Sequence, residues 1–109
     1  MSIVQTNVID AIGIDEQSNY VILTISDHLA WDDTESHLQL LQEKLNSYIS
    51  FYESGEIFHT YPLAIDKDLV IQIIGKYRLN SEGLSFFNQA KRIVSEAKIE
   101  LRFKQLNEE

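Results

Sequence analysis

The chain has 109 residues, no cysteine, and nine basic against seventeen acidic residues, a formal net charge of −8. These values exclude disulfides, thiol catalysis and thiolate metal sites, and they set the average field against phosphate backbones. A hydrophobic share of 44% is that of a globular chain, and no Pro/Gly/Ser-rich linker or internal repeat divides it, so a single domain over residues 1–109 is expected.

The first predicted strand spans about Asn7 to Asp15. Under a two-residue period Val8, Asp10, Ile12 and Ile14 share one face, and Ile9, Ala11 and Gly13 the other. A polar turn, Asp15 to Asn19, leads into the β-branched run Tyr20 to Ser26, and so short a link predicts an antiparallel hairpin.

A long helix is predicted to begin near Asp32 or Asp33, with Asp32 and Glu35 at capping-box spacing. Leu38, Leu41, Leu45, Tyr48, Ile49 and Tyr52 recur at helical spacing, and Gly55 suits a left-handed helix end. Leu40 and Phe51 fall to the side of that stripe. The apolar face is therefore wide, and needs either a deep core or a second subunit. The segment Glu56 to Pro62 is too apolar for a free loop and is expected to pack on the domain, partly as an extended strand.

Leu69 to Tyr77 is apolar on both faces at Leu69, Val70, Ile71, Ile73 and Ile74, the pattern of a central strand. A second helix starts near Asn80 or Ser81, with Leu79 and Leu84 at hydrophobic-staple spacing. Its expected buried face is Phe86, Phe87, Ala90, Ile93, Val94 and Ala97. Ile99, Leu101 and Phe103 alternate with Glu100, Arg102 and Lys104 in a last, half-buried strand, and Asn107-Glu108-Glu109 is expected to fray. The fold class that follows is α+β, a two-layer sandwich. Its four-stranded sheet carries two helices on one face in the order β-β-α-β-α-β, with the strand order left open.

The apolar runs fall far short of the ~20 residues of a spanning helix. The start, Met1 to Asn7, lacks the basic and apolar regions of a signal peptide. The expected location is cytoplasmic, with no membrane and no nucleic acid as partner.

The densest polar stretch is Asp27-His28-Leu29-Ala30-Trp31-Asp32-Asp33, followed by Glu35 and His37. It lies between a strand end and a helix start, where binding residues are often carried. Its spacing matches no metal motif, and it reads most simply as a helix cap, with Trp31 plugging the helix end and His37 on the surface; no metal or cofactor is assigned. His28 and His59, with Asp27 beside the first, are the candidates for acid–base work. The candidate polar site is thus Asp27, His28, Trp31, Asp32 and His59. No nucleophile elbow, phosphate loop or dinucleotide fingerprint is present. The aromatic group around the end of the long helix supplies a candidate interface of Leu40, Phe51, Phe58 and Tyr61.

Three stretches carry a family resemblance: Asn7-Val8-Ile9-Asp10-Ala11-Ile12-Gly13, Leu23-Thr24-Ile25-Ser26-Asp27-His28-Leu29-Ala30-Trp31, and Leu40 to Tyr48. Together with Tyr61-Pro62, Lys76-Tyr77 and Ile99-Glu100-Leu101 they resemble a small bacterial family of uncharacterised proteins across almost the whole chain. The resemblance implies no activity and transfers no functional residue. The sequence is therefore read as a non-enzymatic protein-interaction module, a homodimer with a possible further protein partner. One alternative is a small-molecule binder or enzyme using the His/Asp cluster. The other is an acidic, immunity-type inhibitor of a basic toxin.

Overall fold

A computed structural model describes residues 3–106 of the chain; Met1, Ser2 and the Asn107-Glu108-Glu109 tail lie outside the described residues. The elements run β1 (Ala11–Asp15), β2 (Tyr20–Asp27), α1 (Thr34–Glu53), α2 (Glu56–Thr60), a 3-10 turn (Pro62–Ala64), β3 (Leu69–Gly75), α3 (Ser81–Ser95) and β4 (Ile99–Gln105). The sheet order is β1-β2-β3-β4. β1 pairs antiparallel with β2, and β2, β3 and β4 are mutually parallel. Each parallel neighbour is reached through a helix, and two crossovers of one hand that advance the same way put both helices on one sheet face.

The register decides which side chains meet those helices. Val21, Leu23 and Ile25 stand opposite Leu69, Ile71 and Ile73, which stand opposite Ile99, Leu101 and Phe103. With Leu41, Leu45, Tyr48, Ala90 and Val94 they form the core, Phe103 being half-buried against it. Each buried branched aliphatic side chain contributes ~1.5–3 kcal/mol. Among the described residues no helix lies over the other sheet face. Tyr20, Ile22, Thr24, Gln72 and Ile74 are half-buried there, and Glu100 is exposed. Val70 is buried on that face too, which is why β3 reads as apolar on both sides.

Several local expectations change. The first strand begins at Ala11 rather than Asn7, because side chains from α1 take the backbone groups of residues 5–10 that a ladder would have used. Of the two expected caps of α1, Asp32 and Asp33, the second takes the role: its carboxylate accepts from the Ser36 amide at 3.2 Å. Gly55 does end that helix at φ +84°, and the reversal starts α2. The Glu56–Thr60 segment is therefore helical rather than extended, held by the Tyr61 amide donating to the Ile57 carbonyl at 2.7 Å. On α3, Asn80 is the cap, accepting from the Gly83 amide at 2.7 Å. Leu84, expected to pack on Leu79, is exposed, and Ile93, expected in the core, is 65% exposed.

Candidate functional site

Two polar clusters are buried beneath the helical layer. The first joins the segment before β1 to α1. Lys44 is buried on the core side of α1, and its ammonium donates to the Gln5 carbonyl at 2.7 Å, the Val8 carbonyl at 2.7 Å and Asp10 Oδ1 at 2.9 Å. Among the described residues these three acceptors face an ammonium with three donors. The other oxygen of Asp10 accepts from the Ser26 amide at 2.9 Å, taking the place of a ladder bond just before the start of β1. One helical turn on, the Tyr48 hydroxyl accepts from the Asp10 amide at 2.8 Å and donates to the Thr24 carbonyl at 2.6 Å. Burial pushes the Tyr48 phenol well above its ordinary value; the Asp10 amide opposes that shift and the Asp10 charge adds to it. Every polar atom named here has a protein partner, so the cluster fastens the segment to the sheet and leaves nothing free for a ligand.

The second cluster lies at the carboxyl end of β2. Asp27 and His37 are both buried, with His37 Nε2 2.6 Å from Asp27 Oδ2. Asp27 Oδ1 accepts from the Leu29 amide at 3.2 Å, an Asx turn that starts the bend toward α1. Trp31 stacks on the imidazole with centroids 3.7 Å apart and planes 22° apart. Its far edge packs on α3: a Cβ added to Gly83 would sit 3.0 Å from the indole. Asn80 also donates to the Thr34 hydroxyl at 3.0 Å, joining the starts of α1 and α3. In this cluster one atom is left over: among the described residues His37 Nδ1 is buried without a hydrogen-bond partner. With Nε2–H given to Asp27, a neutral ring presents Nδ1 as an acceptor.

The candidate residues read from the sequence separate in space. Asp27 is buried against His37, which the sequence had placed on the surface; its helical position, one turn inside α1 on the core side, decides otherwise. Trp31 does close the helix end. His28, Asp32 and His59 are exposed. His28 follows the carboxyl end of β2, whereas His59 lies on α2 beyond the far end of α1, whose twenty residues span ~30 Å. The two histidines therefore do not converge. Of the aromatic group, Phe51 is buried in the core and Leu40, Phe58 and Tyr61 are half-buried against it. Much of the wide face of α1 is thus accounted for within the chain, by the segment before β1 and by α2.

The surface feature that sequence reasoning missed is a groove between α1 and α3, about 240 Å³ in volume. Leu45, Ile49, Phe86 and Ile93 supply its apolar walls, and Gln42, Asn46 and Gln89 its polar ones. None of its lining residues is charged, in a chain where 24% of residues are. The missed signal was Ile93. The helical period placed it at the margin of the buried stripe of α3, and periodicity alone does not say whether a margin position is covered. Neither Asp27 nor His37 lines this groove or those beside Phe51 and over β1, about 400 Å³ each.

Among the described residues there is no group of three or more metal-ligating side chains, and no helix is long and apolar enough to cross a membrane. No curated protein and no solved structure matches the chain. A family of unknown function does, over residues 1–107, nearly the full length that the sequence resemblance covered, and the chain therefore belongs to that family, DUF6572.

Proposed function

We propose that the chain is a non-enzymatic protein-interaction module that receives a partner in the groove between α1 and α3. One observation carries this reading: an isoleucine with 65% of its surface in water stands over an apolar groove with no charged lining residue. Depletion of charge around an apolar centre is what marks the core of a protein interface. The buried ionic groups support the same reading, since Asp10 and Lys44 are engaged within the chain.

The test is a photo-crosslinking residue at Gln89, which is exposed and lines the groove, with the same residue at Glu16 in the β1–β2 turn as control. Irradiation in cells is expected to give a discrete adduct from position 89 alone, lost on Ile93→Lys. No adduct, or equal adducts from both positions, overturns the reading.

An immunity-type inhibitor of a basic toxin is the acidic version of this module. It would dock through carboxylates, and the groove has none. A second reading, a binder or enzyme built on Asp27 and His37, has His37 Nδ1 in its favour. Its entrance would be Trp31, and it predicts that Trp31→Ala opens the imidazole to an alkylating reagent. If His37 stays unmodified in that variant, the second reading fails.

A further inference from the structure

We propose that the outer edge of β4 takes up an extended, acidic segment of another protein as a fifth strand of the sheet. Charge is unevenly shared along this chain. Residues 1–68 hold two basic and twelve acidic residues, a net of −10, whereas residues 69–106 hold seven basic and three acidic, a net of +4. Sheet order follows chain order, so the division is also spatial: β4 closes the basic side of a domain that is acidic as a whole. At physiological salt, charge beyond ~8 Å is largely screened. A partner at this edge therefore meets the local excess rather than the net charge.

The edge offers backbone bonds as well as charge. The Leu106 amide donates to the Gly75 carbonyl at 2.7 Å. In a parallel ladder both main-chain groups of a residue turn to the same neighbour, and successive residues alternate. Arg102 and Lys104 therefore bond to β3, while the amides and carbonyls of Leu101 and Phe103 point away from it. Among the described residues no strand lies beyond β4. Strand addition uses such a row: main-chain bonds give affinity, and alternate side chains give selection.

The side chains select for acid. Glu100, Arg102 and Lys104 share the open sheet face. Arg102 is tied to Glu100 at 2.6 Å, and Lys104 is exposed. On the helical side Phe103 meets Phe87 edge-on at 6.3 Å, and the Lys91 ammonium stands 5.9 Å from the Phe87 ring. A segment alternating acidic and apolar side chains lays its acids toward Arg102 and Lys104 and its apolar groups beside Phe103. Lysines on an edge also guard against pairing like with like. β4 of a second copy would set one net-basic edge on another, and a basic segment meets the same repulsion. None of these residues lines the groove between α1 and α3, so the two surfaces are tested separately.

The experiment titrates the purified full chain into a fluorescein-labelled octapeptide of alternating glutamate and valine, read by anisotropy. A lysine–valine octapeptide and an oligo-dT of equal length are the comparison probes. The acidic peptide is expected to bind with a Kd below ~1 mM, more weakly as salt rises, and the other two not to bind. Lys104→Glu should weaken binding about tenfold, and Glu100→Gln should tighten it a few-fold. Both positions are exposed, so circular dichroism should not change; if Lys104→Glu alters it, Lys91→Glu serves in its place. Amide exchange followed by NMR reads the backbone. At saturating peptide the Leu101 and Phe103 amides should slow about tenfold, while those of Arg102 and Lys104, already bonded to β3, should not. No binding up to ~1 mM, equal binding of oligo-dT, or unchanged exchange at Leu101 and Phe103 overturns the proposal. So does light scattering that finds the chain self-associated and Lys104→Glu at the 12.6 kDa monomer mass, since a second copy would then hold the edge.

Discussion

The two buried polar clusters sit under the same helical layer, and both link α1 to β2 or the segment beside it, yet they are built differently. Around Lys44 and Asp10 each polar atom described above meets a partner of opposite sense. Around His37 one ring nitrogen is left without one. Burial of an ionic pair is tolerated where hydrogen bonds satisfy the remaining lone pairs and protons, and removing one member then leaves the other charge stranded. The first cluster is accordingly a fastening of the segment before β1. The second is held as much by ring stacking and packing on Gly83 as by its one hydrogen bond to Asp27, and it should yield more easily.

The sharpest way to break this comparison is Lys44→Met. It leaves Asp10 buried with its charge unpaired, and a loss of about 3–5 kcal/mol is expected in urea unfolding. The double variant Asp10→Leu, Lys44→Met should recover much of that loss, because no charge is then stranded. A single-variant loss under 1 kcal/mol would mean that the Lys44 cluster is no fastening.

Tyr48→Phe comes next. It removes the hydroxyl between the Asp10 amide and the Thr24 carbonyl, at a cost of about 1–3 kcal/mol. It also has a pH signature. The folded phenol is raised above its ordinary value near 10, so its contribution is fully present below that value. As pH rises through it, the unfolded chain releases the proton while the folded chain keeps it, and stability falls toward the raised folded value. Unfolding measured between about pH 9 and 11 should therefore fall more steeply in the wild type than in Tyr48→Phe.

The His37 cluster follows. His37→Phe keeps a ring against Trp31 and removes the orphan nitrogen, but it leaves Asp27 Oδ2 buried without its partner, for a loss of about 1–3 kcal/mol. It should stay below the Lys44→Met loss; equality would erase the distinction between the clusters. Nitrogen NMR of the intact protein should find His37 protonated at Nε2. Smallest of all is Gly83→Ala. The helix gains up to ~1 kcal/mol in propensity, but the new Cβ meets the indole at 3.0 Å and must displace it. Stability should move little, while the emission of Trp31, the single tryptophan, should change.

Most of the fold was legible because period carries burial. The alternation of Ile99, Leu101 and Phe103 marked a strand buried on one face, and the two-sided apolar run at β3 marked a central strand. The failures were local and share a cause: they depend on partners distant in sequence. Asn7 to Asp10 alternates like a strand, but the carbonyls of Gln5 and Val8 go to a lysine 36 or more residues away. Glu56 to Tyr61 has the composition of an extended segment and turns into a helix because Gly55 reverses the chain. Of the candidate site, Asp27 and Trp31 were visible as part of a dense polar run. His37, the residue that makes a pair with Asp27, was read as surface because a histidine one turn into a helix has no intrinsic preference for the core.

By itself the sequence determined the order of the four strands and the two long helices, the caps at Asn80 and Gly55, and the apolar positions that build the inner face of the sheet, because local propensity and hydrophobic period act over a few neighbouring residues. Only the tertiary structure decided the strand order, the pairing of Lys44 with Asp10 and of His37 with Asp27, and the exposure of Ile93. Each of those depends on which surfaces meet when elements dozens of residues apart pack together. The distance between α1 and α3, which opens the groove, is a property of that packing and has no local signature in either helix.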